Sequence, residues 1–252
     1  MLTAIVLTLN EEKHLPDCLA SLSWADEVIV FDSFSSDRTV GIARAAGARV
    51  VQRRFDDYAG QRNAALQATD AEWVFFVDAD ERVTPELAAE VRSVLNRAEA
   101  GWWVPRHNYI FGVLTRHAGW YPDYQLRLLR RNRARYDPNR PVHELVLLDG
   151  RAGYLQQPLI HLNYDTVAEF IAKQTAYARY DAERLRLEGV RARPHHLLTM
   201  PMRQFWWRFV TLAGWRDGWH GLRLSALMAR FEFEKHRMLQ ERVRGDEVES
   251  RE

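Results

Sequence analysis

Apolar and polar residues alternate in blocks along the first hundred residues of the chain. Four short, nearly uninterrupted apolar runs occupy residues 4–7, 28–31, 49–51 and 73–77. Runs of this length predict strands that are buried on both faces. The stretches between them carry apolar residues at helical spacing, such as Leu15, Leu19 and Leu22. Strands that alternate with helices predict an α/β fold with an open, mostly parallel sheet and helices on both faces.

Residues typical of helix ends support this alternation. Pro16 is expected in the first turn of the first helix, where a proline costs no hydrogen bond. Ser36 or Asp37 is expected to cap the second helix, which Gly47 would end. After the fourth strand, Thr-Pro-Glu at residues 84–86 has the order expected of a helix cap and first turn.

Polar and acidic side chains follow the ends of three of these strands. They are Thr8, Asn10, Glu11, Asp32, Ser33, Asp78 and Asp80. In open α/β sheets, ligands bind beyond the carboxyl ends of the strands, so these residues are the candidate binding set. The turn at residues 8–12 reads Thr-Leu-Asn-Glu-Glu, which is neither a G-x-G-x-x-G fingerprint nor a P-loop. A pyrophosphate would meet carboxylates there instead of free N–H groups, which argues against a dinucleotide-binding Rossmann domain.

The fourth apolar run leads directly into Asp78, Ala79, Asp80 and Glu81. Carboxylates crowded at the end of a buried strand repel one another, and burial raises their pKa values. A hard divalent cation with oxygen ligands, Mn²⁺ or Mg²⁺, would relieve that repulsion. The alternative is a solvated acidic loop that happens to follow a strand.

Composition limits the remaining possibilities. The chain has 252 residues, of which 47% are hydrophobic and 27% are charged, as in an ordinary globular protein. Its net charge of +1 gives no reason to expect a nucleic-acid partner. Cys18 is the single cysteine, so an intramolecular disulfide is excluded. The sequence has neither a signal-peptide pattern nor an apolar run that could span a bilayer, and we expect a cytoplasmic protein.

Four motifs in about the first eighty residues resemble, in this order, those of family 2 glycosyltransferases with the GT-A fold. They are V-L-T-L-N-E-E at 6–12, V-F-D-S-F-S-S-D-R-T at 30–39, G-Q-R-N-A-A at 60–65 and D-A-D at 78–80. The resemblance implies the fold of a nucleotide-diphospho-sugar transferase with a C-terminal helical appendage. It also implies that a nucleotide-sugar donor, a UDP-hexose, lies across the strand ends.

The same resemblance implies a nucleoside pocket at the first two strand ends. Thr8, Asn10 and Glu11 would line this pocket, and Asp32 would contact the uracil or the ribose. For Asn10 the alternative is a helix N-cap.

The resemblance also implies roles around the diphosphate. Arg62 would lie beside the base or the diphosphate, with an ordinary surface charge as its alternative. Asp78 would bind the ribose, and Asp80 would hold Mn²⁺ or Mg²⁺ on the diphosphate.

The middle of the chain is rich in aromatic residues, which are interleaved with Arg, Asn and His over residues 102–125. Such a surface suits stacking on sugar rings, and the alternative is an aromatic core layer. The segments 119–128 and 141–144 resemble a narrower group, the lipopolysaccharide core β-glucosyltransferases and relatives that act on bacterial surface glycans. This implies a glycan acceptor, which a lipid would carry. Three residues of these segments are expected to contact the acceptor or a phosphate: Trp120, Arg127 and His143.

An inverting transfer needs a general base near the acceptor hydroxyl. The candidates are Glu144, which lies where this family usually places its base, and Asp123. The Glu-Asp pair that is usual in the family is replaced here by His143-Glu144. A retaining mechanism would not need this base, but the resemblance favours inversion. His161 follows a further apolar run and is expected to be a metal or phosphate ligand, with a buried structural histidine as the alternative.

Residues 190–244 form a basic segment that is rich in tryptophan. It contains eleven Lys or Arg and four Asp or Glu, a net charge of +7, together with four of the nine tryptophans. Basic residues with interfacial aromatic side chains are typical of helices that lie in an anionic leaflet. The segment therefore predicts contact with the inner-leaflet surface of the cytoplasmic membrane. The alternative is a pair of helices that pack on the catalytic domain.

These observations predict three functional parts. Residues 1–100 would bind the nucleotide sugar, residues 101–189 would bind the acceptor and supply the base, and residues 190–252 would form the basic appendage. The leading hypothesis is a metal-dependent, inverting transfer of a hexose, with glucose favoured, from a UDP-sugar to a glycan. The alternatives are a nucleotidyltransferase that makes sugar nucleotides and a non-catalytic protein that only binds them.

Overall fold

The computed structural model describes residues 1–138, 145–191 and 193–249. The predicted site residues His143 and Glu144 lie outside these ranges. The chain forms two compact units. The first unit contains Met1–His107 and Asp123–His161, and the second contains Asn108–Pro122 and Leu162–Glu252. The predicted division into residues 1–100, 101–189 and 190–252 concerns function and stays a prediction.

The secondary structure alternates strands and helices as predicted over the first hundred residues. The strands of the described chain are β1 Leu2–Thr8, β2 Glu27–Asp32, β3 Arg49–Gln52, β4 Trp73–Asp78, β5 Glu81–Arg82, β6 Gly101–Ile110, β7 Val113–Leu114, β8 Asp123–Arg130, β9 Ala134–Tyr136, β10 Val146–Leu148, β11 Ala152–Tyr154 and β12 Leu159–Tyr164. Its α-helices are α1 Leu15–Ala20, α2 Thr39–Ala45, α3 Tyr58–Gln67, α4 Pro85–Val94, α5 Val167–Leu187, α6 His196–Trp206 and α7 Gly218–Glu249.

Most of the described strands form one large mixed sheet. Its order is β3-β2-β1-β4-β8-β6-β12-β5, with β7 and β11 also paired to β6, while β9 and β10 form a separate pair. The four predicted strands are parallel to one another, but β8 pairs antiparallel with both β4 and β6. The parallel register places Thr8 beside Asp32 and Leu7 beside Asp78. The polar ends of β1, β2 and β4 therefore lie side by side.

Both faces of the sheet are buried, and β4 shows why its sequence is apolar throughout. Trp73, Phe75 and Val77 point into one core, which also receives side chains of α1, α2 and α4. Val74 and Phe76 point into the other core, which receives side chains of α3. Successive residues of a strand face opposite sides, so a strand between two helical layers needs an uninterrupted apolar run.

Most of the residues predicted at helix ends lie there, but Arg38, instead of the predicted Ser36 or Asp37, occupies the cap position of α2. The Thr84 hydroxyl accepts a hydrogen bond from the backbone N–H of Leu87 at 3.2 Å, which caps α4. Asp37 accepts from the backbone N–H of Thr39, the first residue of α2, at 2.9 Å. Gly47 follows α2 with a left-handed φ of 78°, which explains why glycine ends this helix.

The second unit contains α5, α6 and α7, and side chains of α5 and α7 contribute to its largely aromatic core. The core residues are Ile110, Tyr164, Phe170, Leu224 and Phe231. A π-helical turn, Trp207–Thr211, continues α6, and a 3₁₀ turn, Gly214–Asp217, precedes α7. Gly221 is required here, because a Cβ atom on it would lie 1.9 Å from the carbonyl oxygen of Gly214. Among the described residues, none of the helices combines the length and the apolarity that crossing a bilayer requires.

Candidate active site

Asp32, the last residue of β2, is completely buried and accepts four hydrogen bonds from protein groups. Oδ1 accepts from the hydroxyls of Thr8, at 3.1 Å, and Ser35. Oδ2 accepts from the Ser35 backbone N–H and from Gln52 Nε2, each at 3.0 Å. A carboxylate offers about four acceptor positions, so these four hydrogen bonds use all the acceptor positions of Asp32. The predicted contact of Asp32 with uracil or ribose would replace one of them and stays a prediction.

Burial and hydrogen bonding act in opposite directions on Asp32. Burial raises the pKa of this carboxyl, but the donors from Ser35, Gln52 and Thr8 together outweigh burial and hold the pKa below its ordinary value. Asp32 is therefore a charged anchor that joins the ends of three elements.

Asn10 ties the loop after β1 to the loop after β2. Its φ of 58° is left-handed, a conformation that asparagine tolerates better than most residues. Its Oδ1 accepts from the backbone N–H of Ser36 at 2.8 Å. The neighbouring Glu11 donates its backbone N–H to the Thr39 hydroxyl at 2.8 Å. The alternative of Asn10 as a helix cap is wrong, because α1 begins only at Leu15.

Two arginines contact Asp78 at the end of β4. Both terminal nitrogens of Arg127, on β8, donate to the two carboxylate oxygens of Asp78, one of them at 3.1 Å. Arg62, on α3, lies 3.4 Å from Asp78 Oδ1, and its guanidinium covers the rings of Phe76 and Tyr136. Burial raises the pKa of Asp78, but the charges of Arg127 and then Arg62 lower it far below its ordinary value. The side chain is still one-third exposed (33%), so a ligand at the strand end can reach it.

Glu81 is fully buried and connects Asp78 to a third arginine. Its Oε2 accepts from the Asp78 backbone N–H at 2.9 Å, and its Oε1 accepts from Arg127 at 2.9 Å and Arg106 at 3.3 Å. Arg106 in turn donates twice to Asp123, at 2.9 and 2.6 Å. We call the three arginines and three carboxylates the ion network: Arg62, Arg106, Arg127, Asp78, Glu81 and Asp123.

Membership of the ion network bears on two predicted roles. Asp123, one of the candidate bases, is held by Arg106 and also accepts from Gln125 Nε2 at 2.8 Å. Both carboxylate oxygens of Asp123 therefore already have donors. Arg127 is buried, and its terminal nitrogens are bonded to Asp78 and Glu81. A contact of Arg127 with the acceptor or a phosphate, and the use of Asp123 as a base, stay predictions.

Asp80 and His161, which are distant in the sequence, are brought together by strand pairing. The antiparallel register of β5 and β12 places His161 opposite Glu81, one residue beyond Asp80. His161 Nε2 lies 3.3 Å from Asp80 Oδ2. The histidine is almost fully buried, whereas the aspartate is partly exposed.

This pair fits a divalent cation that is shared with a substrate. Within residues 1–138, 145–191 and 193–249, no group of three or more His, Cys, Asp or Glu side chains is arranged to hold a metal ion. A closed structural site normally has four protein ligands, which this pair cannot supply. Cations that act on phosphates are instead commonly held by one or two protein ligands, with phosphate oxygens and water completing the coordination.

A cavity of about 140 Å³ opens beside the ion network. Its wall includes Arg62, Arg127, Gln125, Trp103 and Tyr136. Two guanidinium groups in the wall suit an anionic or strongly polar ligand. Trp120, predicted to contact the acceptor, lies instead in the second unit, with its ring 6.3 Å from that of Phe170. Its contact with an acceptor stays a prediction.

We expect replacement of Asp32 by asparagine to lower the free energy of unfolding at pH 7 by about 1–3 kcal/mol, since the amide turns one acceptor into a donor. The pKa of Asp32 is depressed in the folded protein, so the unfolded chain takes up the proton first as the pH falls. The stability that Asp32 contributes is present above about pH 4 and is lost below it. The difference between wild type and Asp32→Asn should therefore shrink between pH 5 and pH 3 (both approximate).

Urea unfolding at pH 7, 4 and 3 measures this difference. Asp70→Asn is the matched control, because Asp70 is fully exposed. A difference for Asp32→Asn that stays constant as the pH falls would show that the charge of Asp32 does not stabilise the fold.

Comparison with known proteins assigns the family. Residues 3–162, more than half of the chain, match the sequence profile of "Glycosyl transferase family 2". The lipopolysaccharide core biosynthesis glycosyltransferase LpsC of Rhizobium meliloti is 31% identical over 233 residues, which cover 87% of this chain and 84% of LpsC.

Two solved structures agree with this assignment at the level of the fold. The mannosyltransferase PcManGT of Pyrobaculum calidifontis, in complex with GDP-Man and Mn²⁺, has a TM-score of 0.56 at 15% identity, covering 94% of this chain and 86% of that one. Residues 1–349 of S. aureus TarS have a TM-score of 0.50 at 16% identity, covering 97% and 91%. Both have the predicted GT-A fold. The chain is therefore a member of glycosyltransferase family 2, related to lipopolysaccharide core biosynthesis enzymes, and it uses a nucleotide sugar.

Proposed function

We propose that this protein transfers a hexose, with glucose as the first candidate, from a UDP-sugar to a hydroxyl of a lipid-linked glycan of the bacterial cell envelope. The observation that carries the proposal is the grouping of Asp78, Arg62 and the Asp80–His161 pair at the end of β4. The identity to LpsC supports lipopolysaccharide core or a related surface glycan as the acceptor.

The donor would lie across the ends of β1, β2 and β4. The loops that Asp32 and Asn10 hold together would form the nucleoside pocket. Asp78, which Arg127 fixes in the charged state, would accept hydrogen bonds from the ribose hydroxyls. Arg62 would place its positive charge beside the diphosphate and stabilise it as it leaves.

Asp80 and His161 would hold a divalent cation, Mn²⁺ or Mg²⁺. When bound, the cation supplies positive charge that neutralises the diphosphate. Asp80 contributes the negative charge that attracts it. The ion network contains three positive and three negative charges, which balance one another. Asp80 lies at the same strand end but does not belong to this network, so its negative charge is available to a cation.

We propose inversion with Glu144 as the general base. The base removes the proton of the acceptor hydroxyl, whose oxygen attacks the anomeric carbon while the bond to the diphosphate breaks. Asp123 suits this step less well, because both of its carboxylate oxygens already accept hydrogen bonds, from Arg106 and from Gln125. Separate Glu144→Gln and Asp123→Asn variants distinguish the two, because loss of the base abolishes transfer while donor binding persists.

We expect UDP-sugars with Mn²⁺ to raise the melting temperature of the protein. At a hundredfold excess over Kd, a ligand that binds only the folded state adds about 2.7 kcal/mol, which corresponds to a shift of about 5–10 °C for a chain of this size. The shift should fall sharply with a chelator and with UMP, which lacks the diphosphate. If no nucleoside diphosphate sugar raises the melting temperature, the proposal is wrong.

A further inference from the structure

Helix α6 turns apolar side chains towards solvent. Leu198, Met202 and Trp206 follow one another at four-residue spacing and are 67, 62 and 63% exposed. In the π-helical turn that continues the helix, Trp207 and Val210 are 44 and 40% exposed. We call these five residues the apolar face of α6.

An ordinary surface helix buries its apolar residues, so this exposure departs from the usual pattern. Phe205 and Phe209 belong to the same segment and are half-buried, with their rings stacked 5.4 Å apart. Isolated exposed apolar residues are common, but several on one helix face mark a binding surface.

Two further tryptophans follow in the chain and are also exposed. Trp215, in the 3₁₀ turn, is 56% exposed, and Trp219, in the first turn of α7, is 78% exposed. The guanidinium of Arg216 lies over the Trp215 ring, 5.7 Å from its centroid. Among the large apolar side chains of the described residues, Trp219 is the most exposed.

The charged residues of this stretch of the sequence are nearly all basic. Residues 190–223 contain six arginines and a single acidic residue, Asp217. Asp217 is itself engaged within the second unit, where it accepts from His117 Nδ1 at 2.7 Å and from the His117 backbone N–H at 2.9 Å. By sequence, the segment therefore combines indoles and aliphatic side chains with a net positive charge.

We propose that the apolar face of α6, together with Trp215 and Trp219, inserts into the headgroup region of an anionic lipid leaflet. The arginines suit lipid phosphates, and tryptophan prefers the boundary between hydrocarbon and water. A second copy of the chain fits less well, because it would bring the same positive charges together. The inference rests on the proposed function, since it identifies the surface that would bring the enzyme to a lipid-linked acceptor.

Sedimentation with lipid vesicles tests this inference on the full chain. We expect the wild type to bind vesicles of phosphatidylcholine with anionic phosphatidylglycerol at least about tenfold more tightly than phosphatidylcholine alone, and less tightly at high salt. The double variant Leu198→Ser with Trp206→Ser should bind the anionic vesicles at least about tenfold more weakly. Leu187→Ser is the matched control, because Leu187 is a similarly exposed leucine (73%) at the end of α5.

The inference is overturned if the wild type does not bind anionic vesicles, or if the double variant and the control bind them equally tightly. It is also overturned if the apolar face mediates a dimer in solution that the double variant dissociates. The double variant should keep the thermal shift with UDP-sugar and Mn²⁺. If the wild type binds vesicles but its melting temperature does not rise with UDP-sugar and Mn²⁺, the proposed function is contradicted, whereas the proposed membrane-binding surface is supported.

Discussion

Replacing Arg127 by methionine is expected to lower the free energy of unfolding by about 3–5 kcal/mol. Arg127 is buried and holds two carboxylates, Asp78 through both terminal nitrogens and Glu81 through one. Burial lowers the pKa of Arg127, but these carboxylates outweigh it and raise the pKa well above the ordinary value. Without the guanidinium, Glu81 remains a buried charge that accepts hydrogen bonds from Arg106 at 3.3 Å and from the Asp78 backbone N–H at 2.9 Å.

Urea unfolding of matched variants measures this effect. Arg127→Lys should fall between wild type and Arg127→Met, since lysine keeps the charge but cannot bridge two carboxylates with a planar fork. Arg135→Met is the control, because Arg135 is an exposed arginine on β9, and it should change the stability by less than about 0.5 kcal/mol. Adding Glu81→Gln to Arg127→Met should recover part of the loss by removing the uncompensated charge. If Arg127→Met is as stable as the Arg135→Met control, the ion network does not stabilise the first unit.

Replacing Asp80 by asparagine is expected to lower kcat/KM for sugar transfer by about a thousandfold, which corresponds to about 4 kcal/mol of transition-state stabilisation. Asparagine has nearly the shape of aspartate but lacks the charge that would attract a divalent cation. Asp80 lies outside the ion network and contacts His161 at 3.3 Å, so the fold should tolerate the change. This separates a loss of chemistry from a loss of structure.

Release of UDP from UDP-glucose, in the presence of Mn²⁺ and an acceptor extract, measures the rate. The melting temperature of Asp80→Asn without ligand should match that of the wild type. Asp70→Asn is again the control and should retain full activity. Activity of Asp80→Asn within tenfold of wild type would contradict a role for Asp80 in holding a cation.

Much of the first unit could be predicted from local pattern. The apolar runs at 4–7, 28–31 and 73–77 could be recognised as the cores of β1, β2 and β4, because a strand segment covered on both faces is apolar at successive positions. The residues at their ends could be identified for the same reason, since polarity begins where burial stops. The family assignment rested on motifs at those strand ends and on G-Q-R-N-A-A at 60–65 in α3, and it was confirmed by the match over residues 3–162.

The ion network was missed because it depends on pairings that the local sequence does not reveal. Arg127 reaches Asp78 only because β8 lies antiparallel beside β4, and nothing in the run of residues 123–130 indicates that neighbour. In the sequence, Glu81 looks like one more acidic residue of the loop after β4. In the structure, its side chain is completely buried. The best available signal was an excess of arginines over the segments that supply Arg106 and Arg127.

The C-terminal helices show a different limit. Composition predicted a basic, tryptophan-rich segment, but it could not tell which residues would be covered by the protein itself. The structure shows that α6 turns Leu198, Met202 and Trp206 outward. Helical spacing alone is the same for an apolar face that is buried and one that is exposed, so only the tertiary structure separates them.

The central claim, that Asp80 and His161 hold a cation together with the diphosphate of the donor, can be tested by electron paramagnetic resonance of Mn²⁺. The signal of free Mn²⁺ should decrease when protein and UDP are both present, and much less with protein or UDP alone. Asp80→Asn and His161→Ala should each abolish this cooperative loss, whereas Asp70→Asn should not. Cooperative binding of Mn²⁺ and UDP that is the same in wild type and Asp80→Asn, or no such binding in the wild type, would contradict the account.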